Sequence, residues 1–343
     1  MRRRHLPGFS QLANLGISTK LGLIVIVLAI PIGALLFVQY QDQQAATSQA
    51  DSESNGLDYV AAVMPFMREV QLHRGLVERV LNGDEPARAN MQRTAAAADA
   101  ALASINEMDS RWGSDFETKE LVAFLNTEWP KARDNATSTQ DSSALHNSVI
   151  QQGVFPLITT IATESKLVLD PDLDNRSVII ALTETLPRMT EALSQMRIQG
   201  TGALVARRNM APTQETRQFL AGQSALAEFE AQQLKSQLET AMAHNARFET
   251  DLRTIVSRSE TTRGVFMDNT ESSVVNATTL SATGAEAYFM LGGSAIDLSN
   301  ELLTSAQEAL QADFDARSDA ARQDFATYGS AAAIGIIIAI GLA

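Results

Sequence analysis

The sequence predicts an all-α protein built from elongated, up-and-down helical bundles. Aromatic residues make up only 6% of the 343 residues, and much of the 45% hydrophobic content is alanine, a strong helix former. Apolar side chains recur at spacings of three and four residues, and no convincing stretch alternates apolar and polar residues as a strand would. Between the breaks, the helical segments are about 20 to 40 residues long, which is typical of bundles.

The breaks between these segments carry helix-ending residues. In "LNGDEP", the Asn-Gly pair lies between two stretches of helical periodicity, so it predicts a helix end and not a β-hairpin. Gly83 is expected at the position after the C-cap, and Asp84 is expected to cap the next helix, with Pro86 in its first turn.

Composition argues against several classes of function. The net charge is −13 and no stripe of Lys and Arg is present, which disfavours nucleic acid as a partner. The absence of cysteine excludes disulfides, thiolate catalysis and Cys-based zinc sites. The four histidines have no ligand spacing, and no nucleophile motif or glycine-rich phosphate loop occurs. We therefore predict no metal site, no cofactor and no enzymatic activity in these residues.

A membrane helix is predicted near the N-terminus. The stretch 21–40 contains no charged residue, and its length matches one helical crossing of the hydrocarbon core. A cleaved signal peptide is the alternative, but this apolar run is too long and no small-x-small cleavage site follows it. The basic residues on its N-terminal side place 1–20 in the cytoplasm: Arg2, Arg3, Arg4 and Lys20.

The C-terminal run "AAAIGIIIAIGLA", 331–343, is about half as long as a spanning helix needs to be. We interpret this run as an incomplete second membrane helix. The alternative is a buried C-terminal strand or helix. All 40 acidic residues lie between these two apolar runs. The expected organisation is therefore a periplasmic helical sensor domain, 41–330, held in a bacterial inner membrane.

One seam of the first long helix contains an arginine. Apolar residues recur there at spacings of three and four, and the position missing from the series is Arg74. A buried guanidinium must be paired, because an isolated buried charge is costly. Two alternatives stay open: an internal ion pair, for example with Glu78, or a bound anion, with His73 beside it. The apolar members of the seam are Val60, Val63, Met67, Val70, Val77 and Leu81.

A second arginine, Arg197, borders the seam of a middle helix. The small residues Gly200 and Gly202 follow it, which allows close helix packing or leaves room for a ligand. Arg197 is thus either a solvated residue on the flank of the helix or a second ligand-binding residue. The apolar members of this seam are Leu182, Leu186, Met189, Leu193 and Met196.

Three stretches resemble a known family. "REVQLHRGLVERVLNGD", "LVLDPDLDNRSVIIALTETLPRMTEALSQMRIQGTGALVAR" and "AYFMLGGSAIDLSNELLTSAQEALQADFDAR" are similar to helices of nitrate- and nitrite-sensing domains in bacterial chemoreceptors and sensor kinases. The resemblance implies two stacked four-helix bundles that recognise an anion through arginines. Arg74 and Arg197 match those arginines, whereas His73 stands where the family often has Glu.

Together these features predict a transmembrane sensory transducer, the ligand-sensing part of a methyl-accepting chemotaxis protein. It would bind a small molecule, such as an anion, at Arg74, Arg197 and His73, and act as a homodimer. The sensor region of a histidine kinase or a nucleotide cyclase is the alternative, with any output domain beyond residue 343. A membrane-tethered helical scaffold for a protein partner is another, and it differs in that Arg74 would pair internally.

Overall fold

A computed structural model describes residues 16–136, 142–206, 212–277 and 283–342. This part of the chain is helical and contains no strand, which confirms the all-α prediction. π-helical turns at Val149–Val154 and Ala181–Thr185 join α4 to α5 and α6 to α7, and a third, Glu271–Val275, follows α9. The helices are α1 Ile17–Leu81, α2 Ala87–Trp112, α3 Lys119–Asp134, α4 Ser142–Ser148, α5 Phe155–Glu164, α6 Leu173–Ile180, α7 Leu186–Ala206, α8 Gln214–His244, α9 Ala246–Thr270 and α10 Ala285–Leu342.

The chain divides into two compact units. One unit comprises 1–51 and 313–343, and its described residues belong to the N-terminal part of α1 and the C-terminal part of α10. The other unit is 52–312, and it contains nearly all of the buried side chains. The candidate functional residues all lie in this second unit.

Within the described residues, no helix combines the length and the apolar character that crossing a bilayer requires. On this finding, the predicted membrane helix at 21–40 and the incomplete one at 331–343 are wrong. The predicted inner-membrane location, with a cytoplasmic N-terminus and a periplasmic segment 41–330, is wrong as well, because it depended on those two helices. The three arginines that oriented the predicted N-terminus lie in 1–15, outside the described residues.

The segment 52–81 of α1 is the central element of the second unit. Its apolar seam is buried as predicted, except that Leu81, the last residue of α1, is 44% exposed. The seam of the middle helix is buried throughout, from Leu182 to Met196. Side chains of α1 meet those of α2, α3, α4, α7 and α10 through the pairs Tyr59 with Asp109, Phe66 with Trp129, His73 with His146, Arg74 with Glu191 and Arg68 with Asp297.

The end of α1 is closed by a glycine turn. Gly83 has a φ of +91°, its N–H donates to the Val80 carbonyl, and the Asp84 N–H donates to the Arg79 carbonyl. This arrangement is a Schellman motif, and it confirms the predicted position of Gly83. Asp84 does not cap α2, which begins at Ala87; its carboxylate accepts a hydrogen bond from Arg79 Nε at 2.7 Å instead.

Candidate functional site

A cluster of buried polar side chains lies where α1, α4 and α7 meet. Gln71 and Arg74 stand three residues apart on α1, and Glu191 and Ser194 stand three apart on α7, so each of these pairs shares a helix face. Most of these side chains are almost fully buried, and they stand among apolar residues of the two seams. Such a group must satisfy its hydrogen bonds internally or through a ligand. Its members are Gln71, His73 and Arg74 of α1, His146 and Asn147 of α4, and Glu191, Ser194, Gln195 and Arg197 of α7.

Arg74 pairs with a carboxylate inside the protein. Its Nη1 lies 2.8 Å from Glu191 Oε1, and its Nη2 lies 3.0 Å from Glu191 Oε2, which is the forked geometry that arginine and carboxylate favour. Nη1 also donates to Asn147 Oδ1 at 2.6 Å, and Nη2 donates to Ser194 Oγ at 3.0 Å. Arg74 is 1% exposed and Glu191 is 5% exposed. Of the two alternatives for Arg74, the structure therefore has the internal ion pair, with Glu191 as the partner and not Glu78.

Glu191 is a functional residue that the sequence reasoning missed. Its carboxylate also accepts hydrogen bonds from Gln71 Nε2 at 3.0 Å and from Gln195 Nε2 at 2.8 Å. A signal was present in the sequence. Glu191, Ser194 and Gln195 form a polar row at helical spacing beside the apolar seam of α7, and such a row predicts a buried polar interface when both flanks are apolar.

His73 belongs to a buried pair of neutral imidazoles. His146 Nδ1 lies 2.7 Å from the Ser142 carbonyl, which can only accept, so the proton is on Nδ1 and His146 Nε2 is an acceptor. His73 Nδ1 lies 2.8 Å from that nitrogen and must therefore donate to it. Burial lowers the pKa of His73 to about 4 and that of His146 to about 3. His73 is thus a packed, uncharged residue against Trp129, with its ring hydrogen-bonded inside the protein.

Arg197 differs from Arg74 because it has no carboxylate beside it. It is 3% exposed, so it is not a solvated residue on the helix flank. Its Nη2 reaches only the Gln71 carbonyl, at 3.5 Å, and its Nε has no hydrogen-bond partner. Among the four described ranges, no carboxylate oxygen lies within 4.0 Å of its guanidinium. Burial, together with the like charge of Arg74, lowers the pKa of Arg197 to about 10, and the carboxylates of Asp297 and Glu191, which are beyond ion-pair distance, oppose that change.

Glycines make the room that the Arg197 side chain occupies. A Cβ on residue 292 would lie 3.0 Å from Arg197 Cβ and 2.9 Å from Phe266 Cζ, so only glycine fits there. A Cβ on residue 75 would lie 3.6 Å from Arg197 Nη2. The guanidinium carbon itself lies 4.8 Å from the centre of the Phe289 ring, within the range of a cation–π contact.

A cavity of about 260 Å³ is lined by Phe289, which contacts Arg197, although Arg197 itself does not line it. It begins at Ile198, the next residue, and at Thr201, whose hydroxyl donates to the Arg197 carbonyl at 2.6 Å. The Phe289 ring bounds it and also contacts Arg79, whose guanidinium carbon lies 4.7 Å from the ring centre. The remaining lining residues are Gly75, Glu78, Asn82, Gly83, Asp84, Gly202, Val205, Ala285 and Glu286.

The structure brings the three predicted site residues into one neighbourhood but gives them different surroundings. Gln71 links the two arginines, since its amide donates to Glu191 and its carbonyl accepts from Arg197. The buried cluster thus holds two guanidinium groups and one carboxylate. Comparison with protein-family models, curated proteins and solved structures gives no match to this chain. Function is therefore inferred from the residues of the site.

Proposed function

We propose that this chain contains the ligand-binding domain of a helical sensor and that its ligand is a small anion bound at Arg197. The observation that carries this proposal is the charge of the buried cluster. Arg74 forms an ion pair with Glu191, whereas Arg197 forms no ion pair within the described residues. A buried charge without a partner is costly, and an anion would remove that cost. Arginine offers a planar set of donors that suits carboxylate, nitrate or phosphate.

Arg197 is a better anion site than Arg74 because fewer of its donors are engaged by the described residues. Both terminal nitrogens of Arg74 are already engaged by Glu191, Asn147 and Ser194. An anion at Arg74 would have to displace a bidentate carboxylate, whereas Arg197 has only one long hydrogen bond to lose. The cavity beside Arg197 also provides a space from which a ligand can approach.

Sensing would depend on how three helices pack around Arg197. Gly75 belongs to α1, Arg197 to α7, and Phe289 and Gly292 to α10. An anion that binds one packing of these helices more tightly than another would shift the population toward that packing. The resemblance to sensing domains of chemoreceptors and sensor kinases supports such a role. The predicted homodimer and the output module stay predictions.

We also propose that residues 52–312 form two stacked four-helix bundles. The pairing of α3 with α2 and α4 supports the first bundle, together with α1. The packing of α8 against α7 and α9 supports the second, together with α10. The buried polar cluster would then lie where the two bundles share α1.

The anion proposal is tested by thermal unfolding of the purified chain in nitrate, acetate or phosphate at constant ionic strength. At least one anion should raise the midpoint in a saturable way, because a ligand at 100 times its Kd stabilises by about 2.7 kcal/mol. Arg197→Met should lose the shift. Arg247→Met, which removes an exposed arginine of α9, should keep it. No saturable shift with any anion, or an equal shift in Arg197→Met, would overturn the proposal.

A second candidate function is a helical scaffold that binds a protein partner. The internal ion pair of Arg74 and Glu191 favours it, since such a pair is what a purely structural arginine would show. For a scaffold, Arg197→Met would change stability without changing any response to anions. The same titration therefore separates the two functions.

A further inference from the structure

The cavity beside Arg197 contains a carboxylate without a partner. Glu78 of α1 lines this cavity and is half-buried. In the described ranges of the chain, its carboxylate forms no hydrogen bond and no ion pair. Burial raises the pKa of Glu78, and the more distant charge of Arg74 opposes that change. A partly desolvated carboxylate on a cavity wall is a site for a cation.

The other charges of the cavity already have partners. Arg79 Nε lies 2.7 Å from Asp84 Oδ2, and Arg79 Nη2 lies 2.5 Å from Glu286 Oε2. Two carboxylates thus share one guanidinium, so Arg79 is not free to neutralise Glu78. The lining of the cavity is acidic, with three carboxylates and one guanidinium. Arg197 does not line the cavity, but it contacts Phe289, which does.

Gly75 connects the two unpaired charges. It stands three residues before Glu78 on α1, so the two share a face of the helix. It also lies between the cavity and Arg197, because a Cβ at position 75 would be 3.6 Å from Arg197 Nη2, 3.5 Å from Ile198 and 3.4 Å from Phe289. The missing side chain leaves a methyl-sized space between the cavity and the guanidinium. A ligand with one group in this space and the rest of its atoms in the cavity would meet Arg197 and Glu78 together.

We propose that the ligand is a small zwitterion, with a carboxylate bound by Arg197 and a primary ammonium bound by Glu78, as in a small α-amino acid. This inference rests on the anion site proposed above and names the class of ligand that the site takes. The cavity of about 260 Å³ is below the range of about 300 to 1,000 Å³ that is typical of drug-sized ligands, so the ligand is small. The binding step is non-covalent and leaves both ligand charges in place.

Three probes of matched shape test the proposal by calorimetric titration of the purified full chain. L-alanine carries both charges, propionate lacks the ammonium, and ethylamine lacks the carboxylate. L-alanine should bind at least about 10-fold more tightly than propionate, because a hydrogen-bonded charge pair contributes more than about 1.4 kcal/mol, and ethylamine should bind more weakly than both. Glu78→Gln should reduce the affinity for L-alanine to that for propionate, and it should leave propionate binding unchanged.

Gly75→Ala provides a variant that keeps the fold. Its added methyl group meets its neighbours at ordinary van der Waals distances, so the chain should fold as the unmodified protein does. The methyl group would fill the gap that the ligand crosses, and binding of L-alanine should fall by at least about 10-fold. Unchanged binding in Gly75→Ala would place the ligand elsewhere and overturn the proposed pose.

The outcomes separate this inference from the anion proposal. If propionate binds as tightly as L-alanine and needs Arg197, the zwitterion is overturned and the anion site stands. If ethylamine binds as tightly as L-alanine, the role of Arg197 in recognising the carboxylate is overturned. If neither carboxylate binds and no inorganic anion does, both proposals fail.

Discussion

Arg74 and Glu191 form a forked, fully buried ion pair across the interface of α1 and α7, with nitrogen–oxygen distances of 2.8 and 3.0 Å. Six residues further along α7, Arg197 lies in the same buried region and forms no ion pair within the described residues. The buried charge of Arg74 is therefore compensated by an adjacent carboxylate, whereas that of Arg197 is not. Arg74 lies within an apolar seam, and Arg197 borders one. Substituting each in turn should change stability in opposite directions.

Arg74→Met should lower the free energy of unfolding by about 3 to 5 kcal/mol, because it leaves the Glu191 carboxylate buried without its counter-ion. Urea unfolding followed by circular dichroism measures this change. The double variant Arg74→Met with Glu191→Gln should be less destabilised than the sum of the two single variants, since it removes both charges. Additivity within about 0.5 kcal/mol would mean that the two residues are not coupled.

Arg197→Met should raise the free energy of unfolding, by about 1 to 2 kcal/mol in the absence of ligand. Relief from desolvation of the guanidinium favours the variant, and loss of the contact with the Phe289 ring partly offsets it. The same urea experiment applies, with Arg247→Met as the exposed control. If Arg197→Met destabilised the chain as much as Arg74→Met does, Arg197 would have to possess a partner of its own.

The paired histidines should make stability dependent on pH in a defined window. His73 has a pKa lowered from about 6.5 to about 4, so the unfolded chain binds more protons than the folded chain between these values. Stability is therefore full above about pH 6.5 and is lost as the pH falls toward 4. Each histidine contributes a slope of up to about 1.4 kcal/mol per pH unit.

His73→Gln tests this assignment, because its amide can still donate to His146 Nε2 while it no longer titrates. The slope of unfolding free energy against pH should become shallower by about 1 kcal/mol per unit between pH 4.5 and 6. His244→Gln, at an exposed position of α8, should keep the original slope. Equal slopes in His73→Gln and the unmodified chain would contradict the prediction.

Gly292→Ala should be destabilising, by about 1 to 3 kcal/mol, because its Cβ would press on Phe266 and on the Arg197 side chain at 2.9 and 3.0 Å. Gly222→Ala is the matched control in a helix, since no atom lies within 4 Å of its added Cβ. The free energy of unfolding of that control should rise by about 0.5 to 1 kcal/mol, because alanine has a higher helix propensity than glycine. Thermal unfolding of the two variants side by side measures the difference, and equal effects would show that α10 can move away from Arg197.

Periodicity determined the helices and their buried faces. Apolar residues at spacings of three and four predicted the seam of α1 and placed Arg74 inside it, and both features are present. Gly83 was likewise predictable, because only a glycine readily adopts the left-handed conformation that ends this helix. These features depend on residues that are close in sequence, so local chemistry is enough to derive them.

The predicted membrane helices are wrong, because no helix among the described residues is long and apolar enough to span, although the stretch 21–40 contains no charged residue. The buried site also depends on contacts between residues that are far apart in the sequence. Glu191 is 117 residues from Arg74, and the glycine that admits Arg197 is on a third helix, at position 292.

The sequence by itself determined an all-α chain with a charged residue inside a helical seam. Only the tertiary structure decided which arginine forms an ion pair and which forms none within the described residues. The physical reason is that helical periodicity assigns each residue to a face, whereas the pairing of buried charges depends on which faces pack together.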